Sequence, residues 1–182
     1  MFLLLGGLVT ADISGGRVAY PAATSDATAP RPPWISQVGL NHYAENNHKL
    51  SAQLALARVV LIGDSITEFW KGRDPSLFTD DGYVDRGISA QTTLQILLRF
   101  RQDAVELHPA AVVILAGIND LAQNVGPESV EMIEGNLQSM AEIAQASKVA
   151  VVFCALLPTD HFPWRPELAP FNDVKRINAW MK

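Results

Sequence analysis

A serine stands where a buried β-strand is predicted to end, and a serine at such a position can act as a nucleophile. Residues 59–62 are apolar and mostly β-branched, and Gly63, Asp64 and Ser65 follow them directly. In open α/β sheets, ligands bind and chemistry occurs at the carboxyl ends of the strands. A serine attacks a carbonyl group when a base takes its proton and nearby donors stabilise the oxyanion. The segment therefore suggests acyl transfer, provided that the chain supplies those groups.

Donors for an oxyanion are available in three loops that each follow a predicted strand. Ser65 offers its own N–H at a helix start, where N–H groups are free and the helix dipole favours negative charge. Gly87 follows the second strand, and without a Cβ it lets the backbone approach a ligand closely. Asn119 follows the third strand and adds a side-chain amide. Because parallel strands end at one edge of a sheet, we predict that these residues converge there.

Each of these residues also has an ordinary structural explanation when it is taken alone. Gly-Asp-Ser sequences are common in Asx-type turns, and the Asp64 carboxylate is expected to cap backbone N–H groups. Gly87 alone would simply end a strand. Asn119 with Asp120 is typical of a turn, in which Asp120 holds its loop by hydrogen bonds. The functional interpretation depends on the combination of three signatures in this order, each just after a strand.

The hydrophobic pattern between these loops predicts alternating strands and helices. Strands are predicted over residues 58–63, 83–86, 111–116 and 148–157, and helices over 41–57, 66–71, 92–107, 127–147 and 172–182. Pro127 fits the first position of its helix, and the buried side of the 92–107 helix is predicted to carry Leu94, Leu97, Leu98 and Val105. Such alternation predicts a parallel sheet with helices on both faces.

Composition indicates one globular domain and argues against several kinds of partner. The chain has 182 residues, of which 48% are hydrophobic and 18% charged, enough for one core. A net charge of −5 offers no basic field for nucleic acid, and Arg86, Arg99 and Arg101 are predicted to lie on a solvated helix face. Cys154 is the only cysteine and the four histidines lack ligand spacing, so no metal site is predicted.

Residues 1–40 are predicted to form a tail, and residues 41–182 the folded domain. The apolar run at residues 2–9 is too short to span a bilayer, so stable membrane insertion is not expected. Two interpretations of the tail remain open. It is either a weak secretory signal with a linker or an arbitrary N-terminus, since no basic residue precedes the apolar run. A secreted or periplasmic location and a cytoplasmic one are both compatible with it.

Three segments together resemble the first three sequence blocks of the SGNH (GDSL) hydrolases. They are Gly-Asp-Ser-Ile-Thr from Gly63, Gly-Ile-Ser-Ala-Gln-Thr-Thr from Gly87 and Gly-Ile-Asn-Asp from Gly117. The resemblance implies that Ser65 is the nucleophile and that Gly87 and Asn119 complete the oxyanion hole. Ala90 stands where the family often has glycine, a departure that leaves the predicted role of Gly87 in place.

The resemblance also implies a fold and a class of reaction. The fold is a three-layer α/β/α sandwich around a flavodoxin-like parallel sheet with the strand order 2-1-3-4. The reaction is hydrolysis of acyl or acetyl esters of small molecules, with no metal or organic cofactor. Asp64, His161 and Trp164 are predicted to contact the substrate, the latter two from the loop after the fourth strand.

The family's fourth block, Asp-x-x-His, supplies the base and its orienting acid, and it does not occur in these 182 residues. The resemblance therefore implies that the fifth strand and the base loop are missing, which leaves the fourth strand as an edge prone to self-association. His161 lies at the correct edge of the sheet. However, the adjacent Asp160 is predicted to orient it poorly, because neighbouring side chains rarely face each other.

Two hypotheses of different classes follow from the missing base. The first is a serine esterase that is inactive or weakly active as this chain alone. The second is a non-catalytic module on the same fold that binds an acyl or carboxylate group in the oxyanion hole.

Overall fold

The computed structural model describes residues 38–51, 58–78 and 82–182. The helices are α1 (Ala44–Ser51), α2 (Ser65–Arg73), α3 (Thr93–Asp103), α4 (Ile118–Leu121), α5 (Val130–Ala146) and α6 (Phe171–Trp180); the strands are β1 (Val59–Gly63), β2 (Tyr83–Gly87), β3 (Ala111–Leu115) and β4 (Ala150–Phe153). Almost all of the predicted tail lies outside the described residues. The same is true of the part of the predicted 41–57 helix that follows α1. In the part that is described, no helix is long and apolar enough to cross a membrane.

The four strands form one parallel sheet in the order β2-β1-β3-β4, which confirms the predicted strand order and the three-layer architecture. Helix α2 packs on β1 and β2, whereas α5 packs on β4, α3 and α6. Gly63 at the end of β1 is level with Gly87 in β2 and Leu115 in β3. The loops after these three strands therefore begin side by side at one edge of the sheet.

The core lies between the central strands and the helices that cover them. Val60, Ile62, Val112 and Ile114 from β1 and β3 are fully buried. The helices contribute further fully buried side chains: Ile96, Phe100, Ile133, Leu137, Met140 and Ile177. Each such side chain stabilises the fold by roughly 1.5–3 kcal/mol relative to an exposed one. The apolar character of β1 thus follows from its central place in the sheet.

The buried face of α3 differs from the predicted one. Leu94 and Leu98 are 41% and 56% exposed, although Val105 beyond the helix is buried as predicted. The residues that are buried instead follow the three- and four-residue spacing of a helix face: Thr93, Ile96, Arg99, Phe100 and Asp103. Both sets follow the period of a helix, and the prediction was wrong because it chose the face with the leucines over the face that carries Arg99 and Asp103.

Two of the three arginines predicted on a solvated face are buried, and only Arg101 is exposed. The Arg86 guanidinium lies 4.6 Å from the centre of the Tyr43 ring. The fully buried Arg99 forms an ion pair with Asp103, with 3.2 Å between Nη1 and Oδ2. Burial lowers the pKa of the Arg99 guanidinium, and the neighbouring Asp103 carboxylate opposes that shift.

The fourth strand and the helix before it are shorter than predicted. Ser129 precedes α5 and its hydroxyl accepts the Met132 N–H at 3.3 Å, so Ser129 rather than Pro127 starts the helix. Strand β4 covers four residues at the end of the sheet order, and Val152 within it is 51% exposed. Self-association through this edge stays a prediction.

Candidate active site

Ser65 is the first residue of α2, directly after the strand that delivers it. A Cβ on Gly63 would lie 2.3 Å from Thr67 Oγ1 and 2.4 Å from the Leu115 carbonyl oxygen, so only glycine fits this tight passage. Ser65 is partly exposed. Its N–H belongs to the first turn of the helix and therefore has no acceptor within α2. The predicted placement of Ser65 is confirmed, and its role as a nucleophile stays a prediction.

Asp64 holds the turn around Ser65, as predicted. Its carboxylate accepts the Ile66 N–H at 2.9 Å through Oδ1 and the Asn119 amide at 3.1 Å through Oδ2. The side chain is 1% exposed. Burial raises the pKa of this carboxyl, and the nearby Asp120 raises it further. Both oxygens are thus engaged in positioning the loop, and the contact with substrate predicted for Asp64 stays a prediction.

Asn119 joins the loops that follow the strands. It is 7% exposed, in the short helix α4 that begins after Gly117. Its Nδ2 group donates to Asp64 Oδ2 and, at 3.0 Å, to the Gln91 carbonyl, while its Oδ1 accepts from Asn124 Nδ2 at 3.1 Å. The predicted convergence is therefore confirmed for the loops carrying Ser65 and Asn119.

Gly87 is held in place by hydrogen bonds and by close packing. Its N–H donates to the Asp85 carboxylate at 2.8 Å, and its place in the oxyanion hole stays a prediction. A Cβ on Gly87 would lie 2.1 Å from the Glu68 nitrogen and 2.6 Å from its Cα. Glycine is needed here because the first turn of α2 packs directly on β2. In addition, the Tyr43 hydroxyl donates to the Gly87 carbonyl at 2.5 Å and holds this backbone in place.

We expect Gly87→Ala to lower the free energy of unfolding by about 3 kcal/mol, because its Cβ would collide with backbone atoms that cannot turn aside. Gly135 in α5 is a matched control, since a Cβ there meets nothing within 4 Å. Gly135→Ala should stabilise the helix by about 0.5–1 kcal/mol. Urea denaturation of both variants measures the difference. Similar stabilities for the two variants would contradict the packing role of Gly87.

Ala90 offers another backbone N–H in the loop after β2. Its φ of 65° is in the left-handed region that favours glycine, at a cost of about 1 kcal/mol for alanine. Among the described residues, no acceptor is found for the Ala90 N–H. Its carbonyl accepts from Asn124 Nδ2 at 3.2 Å, and the next carbonyl, of Gln91, accepts from Asn119. The free N–H of Ala90 is therefore in the loop tied to Asn119.

Arg99 connects two segments of the site through hydrogen bonds from its buried guanidinium group. Its Nη2 donates to the Gly63 carbonyl at 3.1 Å and its Nε to Gln91 Oε1 at 2.7 Å. One buried side chain thus connects the end of β1 with the loop after β2. Sequence reasoning assigned Arg99 to solvent. Its spacing from Ile96 and Asp103 was the signal that places it on the buried stripe.

Residues 61–182 match the GDSL-like Lipase/Acylhydrolase family. This chain belongs to that family.

Solved structures of GDSL-like proteins resemble this one over most of its length. A GDSL-like lipase from Bacteroides thetaiotaomicron is 41% identical, with a TM-score of 0.75 over 79% of this chain and 71% of that one. A candidate acylhydrolase from Bacteroides fragilis is 38% identical, with a TM-score of 0.76 over 82% and 71% of the two chains. The lipase/acylhydrolase from Enterococcus faecalis, 22% identical with a TM-score of 0.53 over 69% of each chain, is similar in fold alone. The curated proteins gave no match.

The loop after β4 of this GDSL-family chain lies against the loop after α4. Phe162 is 3% exposed and anchors the loop, and its ring centre is 5.4 Å from that of the exposed Trp164. Arg165 Nη2 donates to Gln123 Oε1 at 3.3 Å, four residues beyond Asn119. The loop carrying His161 and Trp164 is therefore connected to the loop carrying Asn119. Their contact with substrate stays a prediction.

The Asp160–His161 pair corrects one expectation. The two side chains do face each other, with 2.6 Å between His161 Nδ1 and Asp160 Oδ1. The hydrogen bond to His161 lowers the pKa of the Asp160 carboxyl. The side chains are 65% and 83% exposed for His161 and Asp160, so water competes for this contact.

A cavity of about 590 Å³ opens beside the loop that carries Ala90. It is lined by Ile88, Ser89, Ala90, Gln91, Gln95, Asn124 and Val125. These are amide, hydroxyl and apolar side chains without a formal charge. The lining of this cavity thus favours a neutral ligand over an ionic one. Within the described part of the chain, no cluster of three or more His, Cys, Asp or Glu side chains could hold a metal.

Proposed function

We propose that this GDSL-family protein hydrolyses esters of small molecules, with Ser65 as the nucleophile. The observation that carries the proposal is a serine at the first residue of α2, with a free helix-terminal N–H, beside a buried asparagine amide tied to the same turn. The family and the Bacteroides thetaiotaomicron GDSL-like lipase support the same class of reaction.

The oxyanion hole that we propose consists of the N–H groups of Ser65 and Ala90 and the side-chain amide of Asn119. When Ser65 Oγ bonds to the ester carbon, the carbonyl oxygen becomes an oxyanion that three donors can stabilise. In the free protein the Asn119 amide donates to Asp64 and Gln91. We infer that one of these bonds shifts to the oxyanion, since catalytic hydrogen bonds often tighten only in the reacting complex.

The substrate that we propose is a neutral ester of modest size. The cavity beside Ala90 is lined by the side-chain amides of Gln95 and Asn124, and such groups can hydrogen-bond a hydroxyl group of the substrate. His161 and Trp164 extend from the neighbouring loop towards the mouth of the site in this proposal. No cofactor takes part in the reaction as we propose it.

Of the groups that the reaction needs, the base has a weaker candidate in this chain than the nucleophile or the oxyanion donors. A serine hydroxyl without a base is a weak nucleophile, and losing the histidine costs another serine hydrolase about a millionfold in kcat. His161 lies in the loop after β4, which is connected to the loop carrying Asn119, yet its exposure makes it a poorly oriented base. We therefore propose that this chain alone acylates slowly and that imidazole added to the solution accelerates it.

We expect Asn119→Ala to slow the Ser65-dependent acylation by p-nitrophenyl acetate about 10²- to 10³-fold, the usual loss on removing one oxyanion donor. Asn172→Ala, an exposed asparagine on α6, is the matched control and should react like the unsubstituted protein. Stopped-flow release of p-nitrophenol in imidazole buffer measures both rates. An Asn119→Ala variant that folds normally and acylates at the original rate would remove Asn119 from the oxyanion hole.

A non-catalytic binding module is the second candidate, favoured by the engaged Asn119 amide. Such a module would bind acetate at Ser65, Ala90 and Asn119 without forming a covalent bond. Isothermal titration with acetate, together with the acylation assay, separates the two candidates. Acetate binding with no covalent acylation, even in imidazole, would favour the module.

A further inference from the structure

A buried carboxylate clamps the loop of Asn119 to the start of α3. Asp120 is fully buried and accepts the Thr93 N–H through both oxygens, at 2.9 and 3.0 Å, as well as the Thr93 hydroxyl. Two residues before Thr93, the Gln91 carbonyl accepts the Asn119 amide. The same two segments are therefore joined twice, and whatever holds Asp120 also determines where Asn119 lies.

Glu128 meets Asp120 from the segment before α5. Glu128 Oε2 is completely buried, and it has no hydrogen-bond partner among the described residues. The Glu128 and Asp120 carboxyl groups nevertheless interact, and hydrogen bonding between them is among the causes that raise the pKa of Glu128. Two ionised carboxylates cannot share a hydrogen bond, because neither has a proton to donate. A protonated Glu128 that donates a hydrogen bond to Asp120 explains both the contact and the buried Oε2 atom without a partner.

The surrounding charges favour a proton on this pair. Burial and the Asp120 carboxyl raise the pKa of Glu128 to about 7. Burial also raises the pKa of Asp120, although the hydrogen bonds from Thr93 partly offset that effect. Asp64, from the turn between β1 and α2, also interacts with Asp120 and is again a carboxylate.

We propose that Glu128 is a positioning residue, whose protonated carboxyl donates to Asp120 and so keeps Asn119 in place for the oxyanion. This proposal rests on the proposed function. Glu128 does not touch the reacting atoms and acts through Asp120, Thr93 and Gln91. Loss of its proton turns the contact into repulsion between two buried carboxylates, which loosens the clamp.

The proton gives the clamp a defined pH dependence. The pKa of Glu128 in the folded protein lies above its ordinary value of 4.5, so the folded state binds the proton more tightly than the unfolded state does. The stabilisation is therefore complete below about pH 4.5 and is lost as the pH rises through about 7. A glutamine at position 128 donates an N–H at every pH, and the Glu128→Gln variant should keep the clamp closed throughout.

An NMR titration of the full chain between pH 5 and 8.5, chosen to bracket the pKa of about 7, tests the proposal without relying on catalysis. We expect the Glu128 carboxyl carbon to titrate near pH 7 and the Asn119 side-chain amide signals to shift with the same midpoint. Glu128→Gln should abolish that shift of Asn119. Glu142→Gln, an exposed carboxylate on α5, removes the same charge and should preserve it. Ser65→Ala should leave the titration unchanged.

A Glu128 carboxyl that titrates near its ordinary value, or Asn119 signals that do not move with it, would overturn the proposal. So would an unchanged Asn119 titration in a folded Glu128→Gln variant. As a functional readout, the rate of Ser65 acylation should fall above pH 7 in the unsubstituted protein relative to Glu128→Gln. If Ser65 is never acylated, the proposed function fails on that result alone, while the NMR midpoints still decide the role of Glu128.

Discussion

Ser65→Ala should abolish the burst of p-nitrophenol that the unsubstituted protein releases from p-nitrophenyl acetate. With a good leaving group, acylation needs only the serine, the oxyanion donors and a base for the proton. Imidazole in the buffer supplies that base, and general-base catalysis typically contributes about 10²- to 10⁴-fold. The acetylated serine is an alkyl ester with a much poorer leaving group than p-nitrophenolate, so its hydrolysis is slower than its formation. The acetylated protein should therefore accumulate and produce a burst proportional to protein concentration.

The Ser65→Ala variant also serves as the blank for this assay, because imidazole alone hydrolyses p-nitrophenyl acetate. Subtracting its rate from that of the unsubstituted protein leaves the part that depends on Ser65. That part should increase with imidazole concentration and be small without it. A large Ser65-dependent rate without imidazole would show that the chain contains its own base. His161→Gln would then identify whether the Asp160–His161 pair supplies it.

Arg99→Ala should lower the free energy of unfolding by about 3–5 kcal/mol, the usual cost of leaving a buried charge without its partner. The Asp103 carboxylate is fully buried and would lose its cation, although Asn47 Nδ2 still donates to it at 2.6 Å. The Gly63 carbonyl and the Gln91 side chain would lose their donors as well. Because these bonds hold the loops of the site, the rate of Ser65 acylation should fall together with the stability.

Two further variants separate the charge from the packing at this position. Arg101→Ala removes an exposed arginine from the same helix and should change the stability by less than about 0.5 kcal/mol. The double variant Arg99→Met and Asp103→Leu removes both buried charges and should recover most of the stability. Urea denaturation of the three proteins provides the comparison. An Arg99→Ala variant as stable as Arg101→Ala would contradict the buried ion pair.

The sequence was informative wherever one local pattern had one structural solution. The apolar run before Gly63 could only be a central strand, and Ile133, Leu137, Met140 and Ala144 in α5 followed a helical period without competing residues. Element order and sheet topology follow from such segments together with the handedness and connection rules of parallel sheets. The ends of the elements were less predictable. The length of β4 depends on how far it pairs with β3, and the sequence of β4 alone does not show this.

The site was predictable at the level of loops and less so at the level of atoms. Placing Ser65 and Asn119 required only strand ends, whereas assigning the second backbone donor required knowing which N–H was already occupied. The Asp85 carboxylate that accepts the Gly87 N–H is two residues away, and its direction depends on the folded strand. Arg99 was missed for a related reason. A charged residue is expected at the surface unless its partner, here Asp103, is recognised on the same buried stripe.

The most direct test of the central claim is a crystal structure of the protein after reaction with a phosphonate ester in imidazole. We predict phosphorus bonded to Ser65 Oγ, with one phosphonyl oxygen within hydrogen-bonding distance of the Ser65 N–H, the Ala90 N–H and Asn119 Nδ2. A phosphonate attached to another residue, or bound at Ser65 with its oxygen turned away from Ala90 and Asn119, would contradict it.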